Sequence, residues 1–197
     1  MIKKLNISHI IVGNDFKFGK DQFGDTDKLK EISKKYNISV HALEVLKESN
    51  SKISSTHIRK LIREGNVAEV SKYLGRNYIL EGKVITGEGR GKKLGIPTAN
   101  IKLDTDYVLP PKGVYACYAH YNNKKYDAIV NFGKKPTFAN KKYSIEVHIF
   151  DMAKDIYGSK LKVELIDFVR GQKAFSSEEE LVSQIKDDIL YTRNLLC

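Results

Sequence analysis

Gly95-Ile96-Pro97-Thr98-Ala99-Asn100 follows a glycine-punctuated segment, Gly87-Glu88-Gly89-Arg90-Gly91, that closes a short apolar run. Glycines let backbone N–H groups approach an oxyanion with no Cβ between them. Arg90, Lys92 and Lys93 add positive charge, and Thr98 and Asn100 offer hard oxygens of the kind Mg²⁺ takes. These types at this spacing point to phosphate and metal chemistry, and so to nucleotides. The Walker and Rossmann readings fall away, because the glycines read GxGxG rather than GxGxxG and no Gly-Lys-Ser/Thr follows. A basic glycine loop is also an ordinary turn between strands, and Pro97-Thr98 an ordinary rigid corner. Company elsewhere in the chain has to decide.

Glu146 is the second chemical candidate. It lies in Ser144-Ile145-Glu146-Val147-His148-Ile149, where alternation puts Ser144, Glu146 and His148 on one face and the three aliphatics on the other. A carboxylate on an otherwise apolar strand is partly desolvated, which favours proton uptake from a bound hydroxyl. Any half-exposed strand alternates in the same way. His148 is a neighbour on that face rather than a ligand, since no second His, Cys or Asp falls at metal spacing around it. Further forward, Ser54-Ser55-Thr56 leads into Ile58-Arg59, hydroxyls at a helix start with an arginine one turn on. That suits an anion, or a plain N-cap.

Four more segments follow in order: Pro110-Pro111-Lys112-Gly113-Val114-Tyr115, Asn131-Phe132-Gly133-Lys134-Lys135-Pro136-Thr137-Phe138, the Glu146 strand, and Ile156-Tyr157-Gly158. Their order and spacing resemble the bacterial riboflavin kinase domain, from about Tyr78 through the Arg170 to Phe175 stretch and into the last helix. A second resemblance precedes it. Ile10-Ile11-Val12-Gly13-Asn14-Asp15-Phe16-Lys17-Phe18-Gly19 and Ile53-Ser54-Ser55-Thr56-His57-Ile58-Arg59 are similar to the later part of an FMN adenylyltransferase domain. The two together resemble bifunctional riboflavin kinase/FAD synthetases. Those proteins open with a Gly-Xaa-Phe-Asp-Gly-Xaa-His-Xaa-Gly-His segment that cradles ATP phosphates, and this sequence holds none.

The resemblance implies ATP-dependent phosphorylation of riboflavin at its 5′-hydroxyl, giving FMN and ADP, with Mg²⁺ as cofactor. It assigns the base role to Glu146 and places Thr98 and Asn100 at the metal. Gly87, Gly89, Arg90 and Gly91, with Thr98, form the nucleotide-binding group, as a flap. Arg170 falls at the flavin end, although the acidic residue usual two positions on is Gln172 here. Asp15, Phe16, Ser55, Thr56 and Arg59 are the remnant adenylyltransferase site. FAD synthesis is expected to be absent or impaired. A non-catalytic flavin-binding or scaffold protein and a basic nucleic-acid-binding barrel stand as rival classes.

These residues must be held by 197 residues of which 41% are apolar, enough for one large domain or two small ones. Cys117 and Cys197 fit neither a disulfide framework nor a zinc site, which points to a reducing cytoplasm. No apolar stretch reaches the roughly 18 residues that span a bilayer. The net charge of +10 is scattered over lysine pairs rather than gathered in a stripe. Small molecules are therefore the expected partners, with no nucleic acid and no membrane, and the oligomeric state is open.

The expected architecture is α+β: a partial α/β, nucleotidyltransferase-like piece over 1–76, then a six-stranded antiparallel β-barrel with a C-terminal helix over 77–197. Periodicity predicts a buried strand at His9 to Val12, a helix from Thr26 to Tyr36, a strand from Val40 to Leu46, and helices at Ser55 to Arg63 and Val67 to Leu74. Extended segments follow at Ile79 to Thr86, Val114 to Tyr121, Tyr126 to Asn131, Ser144 to Ile149 and Lys160 to Phe168, with Asn122-Asn123 as a hairpin turn. Ser177-Glu178-Glu179-Glu180 opens the last helix as a capping box, and Leu181, Ile185 and Ile189 form its packing stripe.

Overall fold

A computed structural model describes residues 6–44, 47–48, 51–87, 89–134, 143–152 and 154–197. The chain forms two compact units, which divide between Ser54 and Ser55. Glu88 and the Pro136-Thr137-Phe138 motif lie outside the described residues.

In the first unit β1 (His9–Gly13) pairs in parallel with β2 (Ser39–Leu43), and α1 (Thr26–Lys34) is the crossover that a parallel pair requires. Asp25 caps α1 by accepting the Lys28 N–H at 2.9 Å. The helix stops short of the expected Tyr36. Asn37 turns left-handed at φ 52°, and the N–H groups of Asn37 and Ile38 close back on the carbonyls of Lys34 and Ser33. A short hairpin, β3 (Lys47–Glu48) with β4 (Ser51–Lys52), completes the unit. The expectation of a buried first strand is corrected here: Ile11 is 66% exposed, because a two-stranded sheet leaves much of its apolar surface uncovered.

The second unit opens with α2 (Ser55–Glu64) and α3 (Val67–Leu74), whose Leu61, Ile62 and Val70 pack with Tyr78 and Val108. Six antiparallel strands then close on themselves: β5 (Tyr78–Ile85), β6 (Ala99–Leu103), β7 (Gly113–Tyr121), β8 (Lys124–Lys134), β9 (Tyr143–Ile149) and β10 (Lys160–Gly171), in the order β10-β5-β6-β9-β8-β7. Closure removes the sheet edges. Asn122 and Asn123, both at positive φ, make the two-residue β7–β8 turn, as a type I′ hairpin demands. Inward-facing Leu80, Val84, Tyr115, Val130, Phe132, Val147, Leu161, Val163 and Leu165 fill the interior at 2% exposure or less. Each such side chain is worth about 1.5–3 kcal/mol of burial.

The barrel strand absent from the sequence expectation is β6, which starts in the Pro-Thr-Ala-Asn segment at Ala99 and runs on to Leu103. The last helix, α5 (Glu178–Leu196), covers the outside of the barrel, where Ile185 and Ile189 meet Val114, Ile129, Phe150 and Val169. Ser177 caps it by accepting the Glu180 N–H, and Glu180 in turn holds the N–H and hydroxyl of Ser176. Arg193 pins its far end to Asp151 at 2.7 Å. Among the described residues no helix is long and apolar enough to cross a membrane.

Candidate active site on the barrel wall

Strand register assembles the site. Asn100 on β6 stands directly opposite Glu146 on β9, Glu146 opposite Asn131 on β8, Asn131 opposite Val114 on β7, and Val114 opposite Arg170 on β10. Paired residues point to the same face of a sheet. Since Ile145, Val147 and Ile149 fill the interior, this row faces outward. Ser144, Glu146 and His148 therefore share the outer face, as alternation requires.

That face is the floor of a cavity of about 410 Å³. Its far wall is α5, through Leu181, Ile185 and Asp188, and its rim is the glycine segment, through Gly89, Arg90 and Gly91. A second cavity of about 150 Å³ lies on the other side, lined by Val84, Gly87, Lys92, Met152, Asp155 and Tyr157. Gly89, Thr98 and Asn100 line both, so the two compartments meet at these residues.

The glycine segment is a single helical turn, α4 (Arg90–Lys93), entered through Gly89 at φ 70°. Ile96 N–H donates to the Gly91 carbonyl at 2.8 Å and folds the turn back towards Thr98. A Cβ on Gly87 would run into the Asn100 amide, so a glycine is required there for the two segments to touch. His148 is more than a neighbour: its Nδ1–H donates to the Pro97 carbonyl at 2.8 Å and ties the Pro-Thr-Ala-Asn segment to β9.

Arg170 does line the larger cavity, but its guanidinium is occupied. Nε and Nη2 grip both oxygens of Asp188 at 2.8–3.0 Å, and Nη1 donates to the Gly171 carbonyl at 3.1 Å. The Asp188 side chain is 2% exposed and Arg170's 21%. The pair joins β10 to α5 and sets Arg170 5.8 Å from the Phe175 ring. The acidic partner that Gln172 fails to supply thus comes from the helix. Gln172 reaches across instead, its Nε2 donating to Asn131 Oδ1 at 2.7 Å and to the Phe132 carbonyl at 3.1 Å.

Sequence reasoning did not single out Asn131 or Asp188 and took His148 only as a face neighbour; all three line the larger cavity. Asp188 carried a signal, a carboxylate beside Ile185 and Ile189 on the packing stripe; Asn131 carried only its place before Gly133. Of the remnant group, Asp15 and Phe16 belong to the first unit, where Phe16 stacks on Phe18 with centroids 5.8 Å apart. Ser55, Thr56 and Arg59 open α2 in the second unit.

A family model described as riboflavin kinase matches residues 74–196, and one described as FAD synthetase matches residues 1–57. Bifunctional riboflavin kinase/FMN adenylyltransferases are 39% identical in Buchnera aphidicola subsp. Acyrthosiphon pisum and 37% in Bacillus subtilis. The matches cover 96% and 97% of this chain and 61% and 62% of those proteins, so the chain spans about three fifths of their length. A crystal structure described as a macrolide-efflux protein from Streptococcus pneumoniae superposes with a TM-score of 0.87 at 37% identity, over 98% of this chain and 62% of that one. Since the riboflavin kinase match takes in the whole barrel, both cavities and the helix that walls one of them, the chain belongs to the riboflavin kinase family.

Proposed function

We propose that the chain transfers the γ-phosphoryl group of ATP to the 5′-hydroxyl of riboflavin, with the chemistry carried by residues 77–197. The observation that carries this reading is the meeting of two cavities at Thr98 and Asn100, with Glu146 across from Asn100 in strand register. The larger cavity has the size and lining for a planar aromatic ring with a polar tail: Val114, Ile129, Phe175, Leu181 and Ile185 supply the apolar slot. The smaller one, under the glycine turn and beside Lys92, takes the phosphates.

Glu146 accepts the proton of the attacking alcohol, and its half-buried place on an apolar strand suits that task. Thr98 and Asn100 bring neutral hard oxygens, and among the described residues there is no cluster of three His, Cys, Asp or Glu side chains. This donor set fits a Mg²⁺ shared with nucleotide phosphates rather than one caged by carboxylates. When bound, Mg²⁺ neutralises charge on the phosphates undergoing transfer. The backbone of Gly87 and Gly89 covers the phosphates, Gly91 continues the same turn over the larger cavity, and the Arg170–Asp188 pair holds the flavin-side wall in place.

Purified chain incubated with riboflavin, ATP and Mg²⁺ is expected to yield FMN and ADP on chromatography. Riboflavin binding without any FMN would overturn the kinase reading in favour of a flavin-binding scaffold. FAD in the same chromatogram would assign the adenylyltransferase step as well.

A further inference from the structure

Thr98 is in register with neither strand that flanks β6. β6 pairs with β9 at Ala99 and Asn100, opposite Val147 and Glu146, and with β5 from Asn100 onwards. Pro97 has no N–H with which to carry either ladder further back. The segment before Ala99 is held in other ways: Ile96 N–H donates to the Gly91 carbonyl at 2.8 Å, and His148 Nδ1–H donates to the Pro97 carbonyl at 2.8 Å. That carbonyl shares one planar peptide unit with the Thr98 N and Cα, so a bond to its oxygen fixes where Thr98 starts. From the other side α4 closes on the same residue; a Cβ on Gly91 would lie 3.2 Å from Thr98 Oγ1 and 2.4 Å from the Ile96 carbonyl oxygen. The His148 ring is half-buried and leans on Phe150, with centroids 5.7 Å apart. Phe150 is itself buried, with the Arg193 guanidinium 5.0 Å above its ring.

From this we infer that His148 is a positioning residue for the phosphoryl transfer: its imidazole does with a side chain what the ladder stops doing at Pro97, and so holds Thr98 at the junction of the two cavities. The inference rests on the riboflavin kinase reading. The role needs a donor at Nδ1 and no change of protonation state. Thr98 lines both cavities, so its displacement is felt on the nucleotide side. The apolar slot of the larger cavity is built from other residues, among them Val114, Ile129 and Phe175, and keeps its shape.

The discriminating variants are His148→Leu, which removes the donor, and His148→Asn, whose amide nitrogen stands as many bonds from the backbone as Nδ1 and can restore it. Calorimetry on the whole chain measures the affinity for ADP with and without Mg²⁺ and for riboflavin, beside the rate of FMN formation. Wild-type activity establishes the underlying reading; its absence defeats that reading before the variants are considered. Given an active wild type, His148→Leu is expected to weaken ADP binding in the presence of Mg²⁺ about fivefold, the scale of one neutral hydrogen bond. Its kcat is expected to fall about tenfold, as for a misplaced contact, with riboflavin affinity within several-fold, and His148→Asn recovers most of both losses. Should His148→Leu fail to fold, His148→Val, β-branched and suited to a strand, removes the donor in its place. The inference is overturned by a folded variant without the donor that binds ADP and Mg²⁺ as wild type does, by one that loses riboflavin affinity alone, or by a His148→Asn no better than His148→Leu.

Discussion

Arg170→Met and Asp188→Asn break the same ion pair from opposite ends, and the structure says they are unequal. In Arg170→Met the stem is kept and the charge lost, leaving a carboxylate 2% exposed to which, among the described residues, the Gln184 amide still donates at 3.1 Å. An uncompensated charge so deeply buried costs about 3–5 kcal/mol. In Asp188→Asn the guanidinium keeps a neutral acceptor and the Gly171 carbonyl, and at 21% exposure it can recover some water. That loss is about 1.5–3 kcal/mol, the scale of a hydrogen bond to a charged group. Against a total stability of about 5–15 kcal/mol, the first variant removes the larger share. The assay is urea unfolding followed by tyrosine fluorescence, which reports the second unit because every tyrosine except Tyr36 lies beyond Ser54 and the chain has no tryptophan. At constant slope the midpoint falls further for Arg170→Met than for Asp188→Asn. The double variant Arg170→Met/Asp188→Leu recovers much of the loss. Equal midpoints for the two single variants, or a larger fall for Asp188→Asn, would refute the reasoning.

Other consequences are open to direct measurement. Burial alone would raise the Glu164 pKa, but hydrogen bonds from Asn77 at 2.7 Å and His120 at 2.5 Å, with the charges of His120 and Lys125, hold it below its ordinary 4.5. A lowered carboxylate contributes stability in full above 4.5 and loses it as pH falls through its folded value. Acid unfolding of Glu164→Gln should therefore depend less on pH below 4.5 than that of wild type, and parallel curves would contradict this. Gly87→Ala drives a Cβ into the Asn100 amide; kcat should fall about tenfold or more, with a raised Mg²⁺ requirement, as expected for a misplaced ligand. An unaltered Mg²⁺ titration would remove Asn100 from the cation site. Cys117 is fully buried, its thiol pushed well above the usual range by desolvation, while Cys197 is exposed. A thiol reagent should label one cysteine in native protein and both after denaturation; native labelling of Cys117 would show that the barrel opens.

The barrel was legible because its strands alternate and its turns carry their own chemistry, as Asn122-Asn123 shows. β6 was not, since Pro97-Thr98 reads as a corner and only closure of the barrel pulls Ala99–Leu103 into the sheet. Glu146, Thr98 and Asn100 could be singled out by type and by resemblance, but their convergence is a matter of register, which no local pattern encodes. Arg170 could be named by resemblance, but not its partner: Asp188 lies 18 residues away, on a helix whose docking depends on the whole fold. The first strand reads as buried from its aliphatics alone, because burial depends on what else covers a sheet.

The central claim is that Glu146 is the base for phosphoryl transfer to riboflavin. Its most direct test pairs the rate of FMN formation with riboflavin affinity in wild type and Glu146→Gln. Removing the base but not the cavity should lower the rate by about a hundredfold or more and leave the affinity within several-fold. A Glu146→Gln chain that makes FMN at the wild-type rate would contradict the account.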